Sequence, residues 1–197
     1  MATGTYKVDE LSAQDSVIKD LDIGTHFIEN TSAGTIALQS KQAYGTWEWD
    51  MRNNNNPLVN FISTLTSIVG TDAYYLTFFG TERIQLGRYD FGSAVEIATT
   101  ATNYIVDNTW YRLKVARLQS EGVFKDIGNG VVYPANSFAV FIKGGSFGNI
   151  WTLVDITGGS KTNPVVDATY TTSEFFVADL DAGDKFTNLR TQTQVEQ

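Results

Sequence analysis

The sequence predicts an all-β protein, two antiparallel sheets packed as a jelly-roll sandwich, and three observations carry that prediction. Short stretches rich in Val, Ile, Phe, Tyr and Trp are punctuated by Thr, Asn, Ser and 17 glycines, which is the composition of strands joined by turns. Many of these stretches alternate with period two. In "WYRLKVARL", Tyr111, Leu113 and Val115 fall on one side and Arg112, Lys114 and Ala116 on the other, as an antiparallel sheet with one face in a core requires. Finally, no segment carries an apolar stripe over three helical turns. The best helical candidate, "KVDELSAQDSVIKDLDI", reads instead as an N-terminal strand plus loop.

Taken in order, an N-terminal strand or arm is expected over 1–24, one jelly-roll domain over 25–193 and a polar tail over 194–197. The expected strands are "HFIEN", "TIALQ", "GTWEWDMR", "LVNFISTL", "YYLTFF", "RIQLGRYD", "AVEIATT", "WYRLKVARL", "FAVFIK", "WTLVDIT", "EFFVADL" and "KFTNLRTQT". A succession of short strands with turn signals between them suits a sandwich. "NNNN" followed by Pro57 is a loop, because Asn tolerates left-handed backbone and Pro57 cannot donate to a ladder. "GGSFGN" and "ITGGSKTNP" are further loops, and no internal repeat or linker interrupts the chain.

Bulk properties exclude several functions. A chain of 197 residues buries a sizeable core without staples. There is no cysteine, hence no disulfide framework, thiol nucleophile or thiolate metal site. A net charge of −8 and a pI near 4.5 make nucleic acid and anionic membrane poor partners. Apolar runs such as "FAVFI" are too short to span a bilayer as a helix, and the N-terminus has no secretory-signal pattern. The one histidine, His26, reads as a strand residue.

The stretch "AYGTWEWDMR" poses the sharpest functional question. Trp47, Trp49 and Met51 point one way from an extended chain, while Glu48, Asp50 and Arg52 point the other. The tryptophan side reads as core, together with Tyr111, Leu113, Val115, Phe138, Val140 and Ile142. The other side is a polar sheet face, expected to be concave.

"SAGTIALQSKQAYGTWEWDMR", "NTWYRLKVARLQSEGVFKD", "FAVFIKGGSFGNIWTLVD" and "TTSEFFVADLDAGDKFTNLRTQT" resemble successive strands of concanavalin A-like jelly rolls. That group holds laminarinases, alginate lyases and laminin G-like modules. "AYGTWEWD" also resembles modules in uncharacterised structural proteins of tailed phages. The laminarinase resemblance implies an E-x-D-x-x-E strand, or the same motif one residue shorter, with carboxyl groups about 5–5.5 Å apart for a retaining mechanism. Here Glu48 and Asp50 fill the first two places. Arg52 and Asn53 fill the two places where an acid/base carboxylate is needed, and neither can protonate a leaving oxygen. No Arg/Gln-His-Tyr constellation for uronate elimination is visible, nor any serine elbow or phosphate loop. The laminin G-like resemblance implies a Ca²⁺ site at a loop edge, for which Asp179, Asp181 and Asp184 in "DLDAGDK" are the candidates. A plain turn around Gly183 is the competing reading. Otherwise no cofactor is expected.

These readings converge on a non-enzymatic virion protein, a capsid-decoration or fibre module present in many copies or as a homo-oligomer beside other virion proteins, with possible weak affinity for a host glycan. The glycan-facing candidates are Glu48, Asp50, Arg52, Tyr89, Trp110 and Arg112. The alternative is a secreted, extracellular carbohydrate-active enzyme, either a laminarinase-like hydrolase or a polysaccharide lyase.

Overall fold

The computed structural model describes residues 28–29, 33–54, 56–67, 70–156 and 163–195. The arm expected over 1–24, His26 and the end of the polar tail lie outside the described residues.

Among the described residues, thirteen strands form two antiparallel sheets, and the only helical elements are 3₁₀ turns at Lys125–Ile127 and Gly145–Phe147. The expected jelly-roll sandwich is therefore what the chain forms. The strands are β1 (Ile28–Glu29), β2 (Gly34–Gln39), β3 (Gly45–Arg52), β4 (Leu58–Ser63), β5 (Ala73–Phe79), β6 (Arg83–Asp90) and β7 (Ser93–Thr99), followed by β8 (Trp110–Arg117), β9 (Ser137–Gly144), β10 (Thr152–Leu153), β11 (Val165–Val166), β12 (Phe175–Leu180) and β13 (Lys185–Gln192). One sheet runs β1-β13-β3-β8-β9-β10, with β11 also paired to β9, and the other runs β2-β12-β4-β5-β6-β7. Consecutive strands thus cross between sheets at β1–β2, β2–β3, β3–β4, β7–β8, β11–β12 and β12–β13, which ties the two layers together.

Period-two patterning sets which face each strand buries. β3 and β8 pair along their whole length, from Gly45 opposite Arg117 to Arg52 opposite Trp110. Residues directly opposite share a face, so Trp47, Trp49 and Met51 join Tyr111, Leu113 and Val115 in the interior. All six are buried in the main core, as are Phe138, Val140 and Ile142 of β9. Across the interlayer, Trp47 meets Phe61 of β4 with ring centroids 5.3 Å apart. Trp49 meets Phe176 of β12 edge-on at 6.0 Å. The indole N–H of each tryptophan has no acceptor, so these rings contribute through apolar area and ring contact alone.

Two expectations need correction. "WTLVDIT" forms only the two-residue β10, although Val154 and Ile156 are fully in the core. The side chain of Asn163 takes over the ladder. Its amide donates to the carbonyls of Val140 and Val154 at 3.0 and 2.9 Å, and its Oδ1 accepts from the Val140 N–H at 3.3 Å. The second correction is β11, a strand not foreseen, which lies beyond Asn163 and pairs with the start of β9.

Candidate functional site

The outward side of the seven-stranded sheet collects the polar half of every alternating strand. Opposed positions give three rows: Lys185, Arg52 and Trp110; Thr187, Asp50, Arg112 and Lys143; and Arg190, Glu48, Lys114 and Phe141. Four sequence candidates, Glu48, Asp50, Arg52 and Arg112, therefore do share one face. Trp110 joins them, 38% exposed at the edge of the row that holds Arg52.

Tyr89 does not. It lies on β6, in the six-stranded sheet, between Ala73 and Ala94. Its ring packs 4.7 Å from Tyr75, and burial, then the charge of Asp179, raises its phenol pKa above the ordinary 10.0. Sequence alternation assigns a side of a strand but not which of two sheets the strand joins, and that is why Tyr89 was grouped wrongly.

Nor is this face an open concave plane of polar side chains. Residues 119–136, which carry the first 3₁₀ turn, fold back over part of it. Phe124 packs with Ala116, Leu118, Ala139 and Phe141 as a second small core, and Ile127, Tyr133, Trp151, Leu153 and Val195 lean against it. What remains between this cover and the sheet is a pocket of about 200 Å³ whose wall includes Glu48, Lys114, Lys125, Asp126, Trp151 and Gln192. That is several times the ~30 Å³ share of a liquid water and leaves room for a small ring.

Lys114 is the centre of the pocket. Its Nζ lies 2.8 Å from Asp126 and 3.7 Å from Glu48. The same ammonium sits 4.1 Å from the Trp151 ring centroid, and Lys143 stands 4.5 Å from that ring. Cation–π attraction and carboxylate pairing thus hold a nearly buried lysine without an unpaired charge.

Asp50 is more firmly engaged. Arg112 grips it through two nitrogens, with Nη2 at 2.7 Å from Oδ2, and Asn188 donates to the same Oδ2 at 2.7 Å. The fork geometry raises the Arg112 pKa above its ordinary value, chiefly through its hydrogen bond to Asp50. Asn188 reaches Asp50 because β13 bulges between Thr187 and Arg190, with Asn188 in the left-handed region at φ 55°. Asn adopts that conformation far more readily than a branched residue, and a bulge re-aims the side chain it carries. Nothing in the sequence marks Asn188 as a partner of Asp50 beyond its being an Asn inside a strand. Arg52 turns to the loop before β8, donating to the Asn108 carbonyl at 3.0 Å and its side-chain oxygen at 3.3 Å.

The calcium candidates are placed apart in role. Asp179 faces outward on β12 and accepts from Thr35 Oγ1 at 3.1 Å. Its pKa is raised by burial first, and then by the charges of Asp181 and Asp184 against the lowering bond from Thr35. Asp184 is fully buried, and its two oxygens accept the backbone N–H groups of Asn54 at 2.7 Å and Asp181 at 2.9 Å. Among the described residues no three carboxylates or imidazoles are gathered as a metal ligand set. The geometry at this point is that of a capped turn, with Gly183 at φ 88°.

No family model matches the sequence, and no curated protein matches it. Among solved structures, a human galectin-16 variant is similar at TM-score 0.49 and 10% identity, covering 86% of this chain and 99% of that one. A galectin of Caenorhabditis elegans is similar at TM-score 0.48 and 10% identity, over 85% of this chain and 94% of its own. A GH43 protein of Bacillus licheniformis is similar at TM-score 0.43 and 10% identity, over 81% of this chain but only 29% of the other. Likeness at this level concerns sheet architecture and says nothing about a ligand.

Proposed function

We propose that this chain is a non-enzymatic, lectin-like sandwich that takes a saccharide on the outer face of its seven-stranded sheet and serves as one of many copies on a virus or phage particle. The observation that carries the binding half of this reading is the state of the two carboxylates that a glycosidase strand would use. Asp50 is held by Arg112 and Asn188, and Glu48 faces the Lys114 ammonium. Carboxylates already engaged by cations in this way serve as fixed hydrogen-bond acceptors for hydroxyls, and the further carboxylate that a general acid would supply is replaced by Arg52 and Asn53. The pocket beside them, with Trp151 and Phe141 in its wall, offers the apolar surface and converging polar groups of a small-ligand site. The reading requires no cofactor. The virion half rests on composition: an acidic, cysteine-free chain with Thr-, Asn- and Gly-rich loops.

Three measurements test it. Binding to a glycan panel should be detectable and should weaken in Lys114→Met. Incubation with β-glucans or alginate should release no reducing sugar, and release that disappears in Glu48→Gln would make the chain a hydrolase. The protein should sediment with intact particles, and recovery only as free secreted protein would reject the virion half.

A further inference from the structure

The sign of the charge on the candidate face runs against that of the chain. The whole protein carries 14 Lys and Arg against 22 Asp and Glu. Yet six of those cations project from the outer face of one sheet. Lys185 and Arg52 lie in one row, Arg112 and Lys143 in the next, and Arg190 and Lys114 in the third. Two are compensated, Arg112 by Asp50 and Lys114 by Asp126 and Glu48. Arg52, Lys143 and Arg190 enter no ion pair among the described residues. Cations held on a common face beside a low-dielectric wall focus a positive field there, whatever the net charge elsewhere.

Resting on the saccharide reading above, we infer that the ligand is an acidic saccharide, one that carries a uronate, sialate or sulfate group. Its anionic groups would meet Lys143 beside Arg112 at one side of the face and Arg190 at the other, about 14 Å away across three strand spacings, and its hydroxyls the oxygens of Glu48 and Asp126. The interspersed carboxylates decide between anionic polymers. A phosphate backbone presents a charge at every step and would meet Glu48, Asp50 and Asp126 as well as the cations. A saccharide with anionic groups separated by neutral hydroxyl-bearing edges matches a face on which acceptors and cations alternate. Trp151 holds the Lys114 and Lys143 ammonium groups against its ring, so part of the ordering of long lysine side chains is complete before a ligand arrives.

The test is a titration of the full chain with oligosaccharides of equal length: a neutral β-glucan, an oligogalacturonate and a heparin-derived fragment, with polyglutamate and single-stranded DNA as non-saccharide polyanions. At low salt an acidic oligosaccharide should bind about tenfold or more tightly than the neutral one, and the advantage should shrink as salt screens it. The double variant Lys143→Gln with Arg190→Gln should remove the advantage while melting like the parent. Lys41→Gln, exposed between β2 and β3, should leave it unchanged. Equal affinity for neutral and acidic oligosaccharides would overturn the inference and leave the saccharide reading intact. No binding to any saccharide would overturn both. Equal binding to polyglutamate or DNA would show a generic anion surface and also overturn the inference.

Discussion

On strand β8, Lys114 and Arg117 stand three residues apart, and the two sides of the sheet treat them in opposite ways. Lys114 faces outward into a pocket, where it is nearly buried against two carboxylates and a tryptophan that themselves reach solvent. Arg117 faces inward and is fully buried. Its guanidinium lies 4.6 Å from the Tyr44 ring centroid, 4.9 Å from Tyr74 and 4.7 Å from Phe138. It donates to the carbonyls of Ala43, Tyr170 and Asp167 at 3.0, 2.7 and 3.1 Å, and to the Asn136 side chain at 3.2 Å. No carboxylate oxygen is among these hydrogen-bond partners. Burial lowers the Arg117 pKa, and carbonyl oxygens and ring faces offset the loss of water. The inward cation ties the 167–170 segment to both layers, whereas the outward one pairs with partly exposed carboxylates at a pocket wall. The lesson is that a charged side chain at sandwich spacing is read by which face it occupies and how many fixed acceptors surround it, not by its charge.

The Arg117 end continues into a second network. Tyr74 of β5 donates to Asp167 at 2.5 Å, Arg88 pairs with Asp167 at 2.6 Å and with Asp90 at 2.9 Å, and Tyr170 donates to Asp90 at 2.6 Å. Burial, then the hydrogen bond to Asp167, pushes the Tyr74 phenol to about 12. Burial works to raise the Asp167 pKa, but bonds from Tyr74 and Thr169 and the charge of Arg88 hold it below the usual 3.8. Asp90 is lowered chiefly by its hydrogen bond from Arg88.

The strongest way to break the contrast is to remove the buried cation. Arg117→Met should destabilise by about 3–5 kcal/mol in denaturant unfolding, because it strands several buried acceptors at once. Parent-like stability would show that the guanidinium does not tie the layers. Trp49→Ala, on the same inward face, should lose about 3–5 kcal/mol through cavity formation, and a parent-like melt would mean the strand faces are reversed. The acid limb of the stability curve comes next. Asp167 and Asp90 have depressed folded pKa values, so their contribution is full above the ordinary 3.8 and is lost as pH falls through the folded values. Thermal melts should therefore drop below about pH 4, and the drop should be shallower in Asp167→Asn. An unchanged acid limb in that variant would remove this network from the account of acid stability. The smallest effect belongs to the outer face: Lys114→Met should cost clearly less stability than Arg117→Met, because its partners Glu48 and Asp126 are partly exposed and keep water when the ammonium is removed, while weakening saccharide binding. A loss as large as that of Arg117→Met would place Lys114 in the structural scaffold instead of a binding site.

Much of this was legible in the sequence. The run from Gly45 to Arg52 and its partner from Trp110 to Arg117 alternate so regularly that core and surface could be assigned before any pairing was known. Arg117 follows the same alternation to the inward side in the structure, but a buried arginine is not an expectation that composition supports. Its acceptors come from residues 43, 136, 167 and 170, far apart in the chain. Asn163 in place of a ladder, and Asn188 at a bulge, were equally hidden, because an asparagine in a β segment reads as a turn signal until its amide has found a backbone group.

By itself, then, the amino-acid sequence determined an all-β sandwich, the inward set of aromatic and branched residues, and the polar row Glu48, Asp50 and Arg52. These follow from side chains alternating with a period of two, a property of one strand alone. Only the tertiary structure decided that Tyr89 sits on the other sheet and that residues 119–136 cover part of the polar face. It alone placed Asp126 and Trp151 over Lys114 and set Asp181 and Asp184 of "DLDAGDK" into a turn. Those outcomes depend on which strands become neighbours and on where long connections fold back. Such contacts are made between residues many positions apart, and no local period encodes them.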